Sequence, residues 1–358
     1  MAHGSGGMES SLLMREIFGR RFANATLDRL EDAAVLAPAR GGGRVVVSTD
    51  SFVVTPLVFA GGDIGKLAVC GTVNDVLMMG AVPTYLTCGF ILEEGLELAT
   101  LDMVAASMAR ESDAAGVTIV AGDTKVIERR ARQGDGSYVS PERRAGAEDA
   151  TSAPGLFVNT TGIGYLREGI ASGSVAAPAA MAARAGDAVI VSGNLGDHHA
   201  CILSARLGVE NGIESDCASL VGVVDALYES GSRVHAMRDV TRGGLATVLG
   251  EIAASSGALI ELDERSIPVS DEVRAFCGVM GLDPLYMGNE GKMAALVDGE
   301  DADGALAAIR STEQGRDACI VGRVAQGDTG APGLVMRTRV GGVRRVSVLR
   351  GEGLPRIC

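Results

Sequence analysis

Residues 45–79 read VVVSTDSFVVTPLVFAGGDIGKLAVCGTVNDVLMM, and the succession of textures in that stretch decides the fold. Val45 to Val47 is a β-branched run that favours a buried strand, and it delivers Ser48, Thr49 and Asp50 at its C-terminal end. Gly65 to Met79 then reads as a helix. Working outward, Tyr85 to Leu92 reads as a strand and Thr100 to Ala115 as an amphipathic helix with Leu101, Val104 and Met108 on one face. Val117 to Val120 is a further strand ending in Gly122-Asp123-Thr124, and Leu156 to Gly164 is the strand that closes the unit.

The second half has the same style. Ala188 to Ser192, Leu259 to Leu262 and Met293 to Val297 read as strands, and His199 to Leu207 and Leu245 to Ser255 as helices. Alternation of this kind over 358 residues predicts two α/β domains. The expected division is a glycine-rich arm and helix over 1–43, with the helix at Ser10 to Phe18, and then a first domain over 44–168. A second domain over 178–340 and a tail over 341–358 complete it. The Arg, Gly, Ser and Glu-rich stretch 129–154 is expected to be a mobile surface loop, and 168–178 a linker.

Composition narrows the function. The 50 glycines are about twice the usual ~7% share and follow no collagen period, while 47% apolar residues exclude a disordered chain. A net charge of −13 repels phosphate backbones and anionic membrane surfaces, so neither nucleic acid nor membrane is expected as a partner. The apolar stretch Val76 to Leu92 is interrupted by Gly80, Pro83 and Gly89 and is short of the ~18 residues a span needs. MAHGSGGMES has no cationic and apolar leader pattern, so a cytoplasmic location is expected. Seven scattered cysteines form no C-x-x-C pair and predict no zinc or iron–sulfur site.

Four aspartates fall at expected strand ends or turns: Asp32, Asp50, Asp75 and Asp123. Carboxylates in such places can hold Mg²⁺ beside nucleotide phosphates, although turns also favour Asp for purely local reasons. GGDIGK sets Lys66 at a helix start behind two glycines, where backbone N–H groups and an ammonium meet an anion. RDVTRGGLATVLGEI, from Arg238, offers a second such start with Thr241 as candidate cap; surface arginines on a capped helix are the plain alternative. The sequence ends LPRIC, and a terminal thiol on a tail punctuated by Gly351, Gly353 and Pro355 can be presented to two sites in turn, with Arg356 favouring the thiolate.

These motifs, with HGSGG, ILEEG, GDTKV, NTTGIG and DPLYMGNEGK, resemble over nearly the whole chain the HypE family of hydrogenase-maturation carbamoyl dehydratases. That family sits in the superfamily of aminoimidazole-ribonucleotide synthetase (PurM-like), selenophosphate synthetase and thiamine-monophosphate kinase. The resemblance implies paired α/β domains, a homodimer, and ATP with Mg²⁺ as cofactors. It implies that the carbamoyltransferase HypF loads Cys358, that ATP-dependent dehydration converts the thiocarbamate to a thiocyanate, and that a HypC–HypD complex carries the cyano group to the iron of a [NiFe]-hydrogenase. By the same resemblance Asp32, Asp50, Asp75 and Asp123 hold metal, and Lys66, Asn74, Asp75, Asp123, Thr124, Asp239 and Arg242 bind ATP. Lys125 and Glu290 are the candidates to polarise and deprotonate the carbamoyl group on Cys358.

The loop 129–154 is longer than the family's turn, and His199 replaces a residue that is more often Gly; His198 and His199 take no assigned role. A superfamily kinase or synthetase acting on a free small molecule is the alternative reading, with turnover indifferent to the tail. A non-catalytic scaffold for metallocentre assembly is the third.

Overall fold

A computed structural model describes residues 33–36, 44–128, 154–325 and 331–349. The expected helix at Ser10 to Phe18, the arm, the loop 129–153, Asp32 and Cys358 lie outside the described residues.

The first half contains β1 (Ala34–Leu36), β2 (Val45–Phe52), a small hairpin of β3 (Val58–Phe59) and β4 (Gly62–Asp63), α1 (Ile64–Met78), β5 (Ala81–Glu93), α2 (Leu98–Ala114), β6 (Thr118–Ile127) and β7 (Leu156–Leu166). Its sheet has the order β1-β2-β7-β5-β6. β5 and β6 run parallel, joined by the α2 crossover, and the other neighbours are antiparallel.

Helix α1 explains the stretch that opened the sequence. Every residue of it is buried except Lys66 and Asp75, because it has neighbours all round: β2, β7 and β5 below, α2 at its side, and later elements of the chain above. A helix enclosed in this way needs no polar stripe. Small residues set its depth. Thr160 on β7 bonds the Ala68 carbonyl at 3.0 Å and the Thr72 hydroxyl at 2.5 Å, while a Cβ at Gly164 would come within 2.5 Å of the Val76 side chain. Asp63 caps the helix, accepting the N–H groups of Gly65 at 2.7 Å and Lys66 at 3.0 Å.

The second half contains β8 (Ala188–Val191), α3 (Asp197–Leu207), α4 (Val221–Glu229), β9 (Val234–Asp239), α5 (Gly244–Ser256), β10 (Leu259–Asp263), α6 (Asp271–Met280), β11 (Met293–Val297), α7 (Ala302–Arg310), β12 (Cys319–Val324), β13 (Gly333–Arg337) and β14 (Val343–Val346). Its seven strands are ordered β14-β13-β10-β12-β8-β11-β9. β8 and β11 are buried on both faces, under α5 on one side and α3, α4 and α7 on the other. α4 and β9 also pack on α1, so the core of the second half is continuous with that of the first.

Several expectations change. The strand expected to stop at Val47 runs to Phe52, and the one expected to stop at Val120 runs to Ile127, so Asp50 and Asp123 sit within strands. Full-length pairing with β7 and β5 overrides the local polarity of STDS and GDTK. The stretch 168–178 begins with a helical turn, Glu168–Ala171, whose Ile170 is buried against Val76 and Met79. The tail expected from Gly341 opens with β14, because Val346 reaches the core beside Leu334 and Met336.

Gly164→Ala is expected to destabilise the protein by about 1–3 kcal/mol through overpacking against Val76, read as a lower denaturant midpoint.

Candidate functional site

β2 and the turn after β9 bring the first charged groups together across the boundary between the halves. Asp50 pairs in register with Thr160, which faces α1, so its side chain lies on the helix side of the sheet. There the Arg242 guanidinium stands 4.0 Å from its carboxylate. Burial raises the Asp50 pKa, and Arg242 and the Ser51 N–H pull it back. Asp239, at the end of β9, is pushed up to about 6, chiefly by burial; Arg238 opposes this and Asp50 reinforces it. Glu290, half-buried in the loop before β11, is pushed well above the carboxylate range by burial and then by Asp239, Asp216 and Asp50, with Arg242 opposing. One acid-rich cleft therefore holds Asp50, Asp239, Arg242 and Glu290.

Other expected site residues go elsewhere. Asp75 accepts the Ser48 hydroxyl at 2.5 Å between α1 and β2. The carboxamide of Asn74 is 2% exposed and bonds the chain of the second half, donating to the Ala218 carbonyl at 3.0 Å and accepting the Leu220 N–H at 2.9 Å. The Lys66 ammonium donates to the Gly61 carbonyl at 3.1 Å. The free N–H groups at the start of α1, expected to meet a phosphate, are already bonded to Asp63. Thr241 does not cap α5: the cap position is Gly243, with a left-handed φ of 82°, and no side chain bonds there.

Asp123 and Lys125 lie on the opposite face of the first sheet. Cys88 and Thr160 share the helix face and pair with Gly122 and with each other, so Asp123 and Lys125 project the other way. They form a 2.7 Å ion pair with both side chains about 70% exposed, and Lys125 holds the Asp123 pKa down. Two strands separate β6 from β2, roughly 14 Å at ~4.8 Å per step. Within one chain, Lys125 and Glu290 do not meet. Nor do Asp50, Asp75 and Asp123: among the described residues no three His, Cys, Asp or Glu side chains are placed to hold a metal ion. Thr124, on β6, is exposed.

The sequence reading overlooked the segment 213–220. Its Asp216 accepts the backbone N–H groups of Glu290 at 3.1 Å and Gly291 at 3.3 Å and pairs with Lys292 at 3.4 Å. Asn289 is fully buried; it accepts the Gly196 N–H at 2.7 Å and donates to the Val240 carbonyl at 2.9 Å, joining three loops around the cleft. The visible signal was a charged or amide residue inside a short apolar-flanked loop, ESDCASL and GNEGK, which by itself reads as surface.

His198 is buried; its Nδ1 shares a 2.8 Å hydrogen bond with the Ser215 hydroxyl, and its ring meets Phe59 edge-on. Burial pushes its pKa down to about 4, against Asp216. The imidazole is thus neutral and structural.

The described fold agrees with that of known proteins. The model of the AIR synthase related protein N-terminal domain matches residues 30–140, and that of the AIR synthase related protein C-terminal domain matches residues 184–334. The chain is 44% identical over 365 residues to carbamoyl dehydratase HypE of Rhodobacter capsulatus, covering 100% of this chain and 97% of that protein. Among solved structures, HypE in a HypE–HypF complex superimposes with a TM-score of 0.79 at 40% identity, covering 94% of this chain and 99% of that one. Hydrogenase maturation protein HypE in complex with ATP gives 0.76 at 45% identity, covering 99% and 98%.

With a folded pKa of about 4 and an unfolded value of 6.5, His198 takes up a proton on unfolding, so stability is lost as pH falls through that window. His198→Asn removes this cost. Between about pH 7 and about pH 5 the variant is expected to lose about 2 kcal/mol less stability than the parent, read from paired denaturant curves; Asp197 and Asp239 contribute equally to both proteins and cancel.

Proposed function

Because the chain belongs to the HypE carbamoyl dehydratase family of AIR-synthase-related proteins, we propose that it dehydrates its own S-carbamoylated Cys358 to a thiocyanate at the expense of ATP. Glu290 carries this reading: it is a carboxylate in a cleft between the two halves, and burial there raises its pKa, which makes it a stronger proton acceptor than an exposed carboxylate.

The reaction is a phosphorylation followed by an elimination. The carbamoyl oxygen attacks the γ-phosphorus of ATP, ADP leaves, and loss of one nitrogen proton gives an O-phosphorylated imidate. Removal of the second nitrogen proton drives out phosphate and leaves S–C≡N on Cys358. Water lost from the carbamoyl group thus appears as hydrolysed ATP. Glu290 takes the first nitrogen proton, releases it to solvent and then takes the second, while Arg242 balances the charge of the transferring phosphoryl group beside Asp50 and Asp239. Mg²⁺ is proposed as the companion of the nucleotide, a role in which it keeps its waters and phosphate oxygens as ligands. Asp50 and Asp239 are the carboxylates that would hold it there, where it would supply positive charge to the phosphates.

HypF is the proposed source of the carbamoyl group, in keeping with the HypE–HypF complex of a relative, and a HypC–HypD complex the proposed acceptor of the cyano group for [NiFe]-hydrogenase. No helix among the described residues is long and apolar enough to cross a membrane, which fits an enzyme that meets such partners in solution. Cys358→Ala is expected to abolish the product: intact mass after HypF, carbamoyl phosphate and ATP shows a carbamoyl adduct that then loses one water in the parent and neither change in the variant. Cyanation that persists in Cys358→Ala overturns the proposal in favour of a free small-molecule substrate.

A homodimer completes the site. The face of the first sheet opposite α1 exposes Val82, Tyr85, Ile91 and Tyr165 beside Asp123 and Lys125, an apolar surface with a charged margin. A second copy that meets this face at β6, the last strand of the sheet, is the proposed way for Lys125 of one protomer to polarise the carbamoyl oxygen while Glu290 acts from its partner. Ile91→Asp is expected to give monomers in sedimentation with dehydration reduced at least about 100-fold; a fully active monomer would exclude Lys125 acting in trans.

A further inference from the structure

Glu290 has both of its backbone polar groups bonded to one segment of chain. Its N–H donates to a carboxylate oxygen of Asp216 at 3.1 Å, and its carbonyl accepts the N–H of Ala218 at 3.4 Å. The second Asp216 oxygen accepts the Gly291 N–H at 3.3 Å and lies 3.4 Å from the Lys292 ammonium. The Asp216 side chain is 3% exposed and that of Lys292 12%, so these bonds are shielded from water. A Cβ on Gly291 would overlap the Asp216 carbonyl oxygen, so the two strands of loop touch backbone to backbone.

The same segment is fixed at its other side to the first half of the chain. Asn74 of α1 holds Ala218 and Leu220, and the Ser215 N–H donates to the Ala60 carbonyl at 2.8 Å. A continuous set of hydrogen bonds therefore runs from the middle of α1, through 215–220, to the backbone of Glu290. An ordinary loop brace needs one such acceptor; here a carboxylate uses both oxygens on consecutive N–H groups, and it does so beside the residue read as the base.

We infer that Asp216 is a positioning residue for the dehydration, holding Glu290 at a fixed place relative to the first domain, with Asn74 anchoring the segment that carries it. The inference rests on the reading of Glu290 as the base. It reassigns Asn74 from nucleotide contact to anchor. A base that removes two protons in succession from one nitrogen must stay within hydrogen-bond reach of it through both steps, and a displacement of about 1 Å costs on the order of 100-fold in rate. Asp216→Asn keeps the shape but turns one acceptor into an N–H₂ donor facing an N–H, so one of the two bonds is lost.

The test uses full-length protein carbamoylated by its transferase, with single-turnover loss of water followed by intact mass. Asp216→Asn and Asn74→Ala are expected to lower the rate at saturating ATP at least about tenfold. The KM for ATP should stay within about twofold of the parent, and amide hydrogen exchange at Glu290 and Gly291 should quicken. Gly291→Ala, which leaves Asp216 intact but forces the loops apart, gives the same pattern and serves if Asp216→Asn folds poorly. A parental rate in both Asp216→Asn and Gly291→Ala overturns the inference, as does a loss of rate matched by an equal rise in the KM for ATP. Glu290→Gln is run alongside. If it retains the parental rate, the base reading fails; if it is inactive while Asp216→Asn is fully active, the base reading survives and the positioning role fails.

Discussion

The carboxamide of Asn74 joins the two halves of this chain at a point shielded from water, bonding residues 144 and 146 positions further along. A buried amide left without partners costs about 1–3 kcal/mol, so the two halves are held in one relation by the penalty for parting as much as by the bonds themselves. The surrounding structure follows from that requirement. α1 must be buried on every side for the amide to be dry, and it is, with β7 below and α4 and β9 above. The acid-rich cleft then forms where the halves meet, because β2 supplies Asp50 from one side and the loops after β9 and before β11 supply Arg242, Asp239 and Glu290 from the other.

That cleft concentrates negative charge in a chain that already carries −13. Burial is the main cause that raises the pKa values of all three carboxylates; Asp50 adds to it at Asp239, and Asp239, Asp216 and Asp50 add to it at Glu290, while Arg242 opposes the rise at each of the three. Each of these groups therefore binds a proton more tightly than an exposed carboxylate does. A further consequence concerns the start of α1. Glycine, lysine and a helix N-terminus suggest a phosphate cradle, yet Asp63 already satisfies those N–H groups. A carboxylate cap and a bound phosphate compete for the same donors.

How far the site could be read depended on where its parts lay. Asp239 and Arg242 stand in one motif, RDVTRGG, and the structure places both in the cleft beside Glu290. Asp123 and Lys125 also share a motif, but strand alternation on β6, the last strand of its sheet, turns them to the other face, and local sequence says nothing about which face of a strand meets the helices until its neighbours are known. Asp216 was passed over for a different reason. Its partners are the backbone N–H groups of Glu290 and Gly291, and a backbone donor leaves no mark in the sequence. Strand β9 was not anticipated, since it is buried on both faces and shows no alternation; α6 and α7 each carry a buried stripe at helical spacing, Val273, Phe276 and Cys277 in one and Ala302, Ala305 and Ile309 in the other, and that period was in the sequence to be read.

Neighbouring residues in the sequence were enough for the alternation of strands and helices and for a set of motifs dense enough to place the chain in its family. These are properties of neighbouring residues, and propensity and spacing record them. The tertiary structure alone decided that Asn74 joins the halves, that Asp50 and Glu290 share a cleft 240 residues apart in the chain, and that Lys125 faces away from both. Each of those depends on strand order and on burial, which are fixed by where the chain can exclude water from its polar groups as a whole and not by any stretch read in isolation.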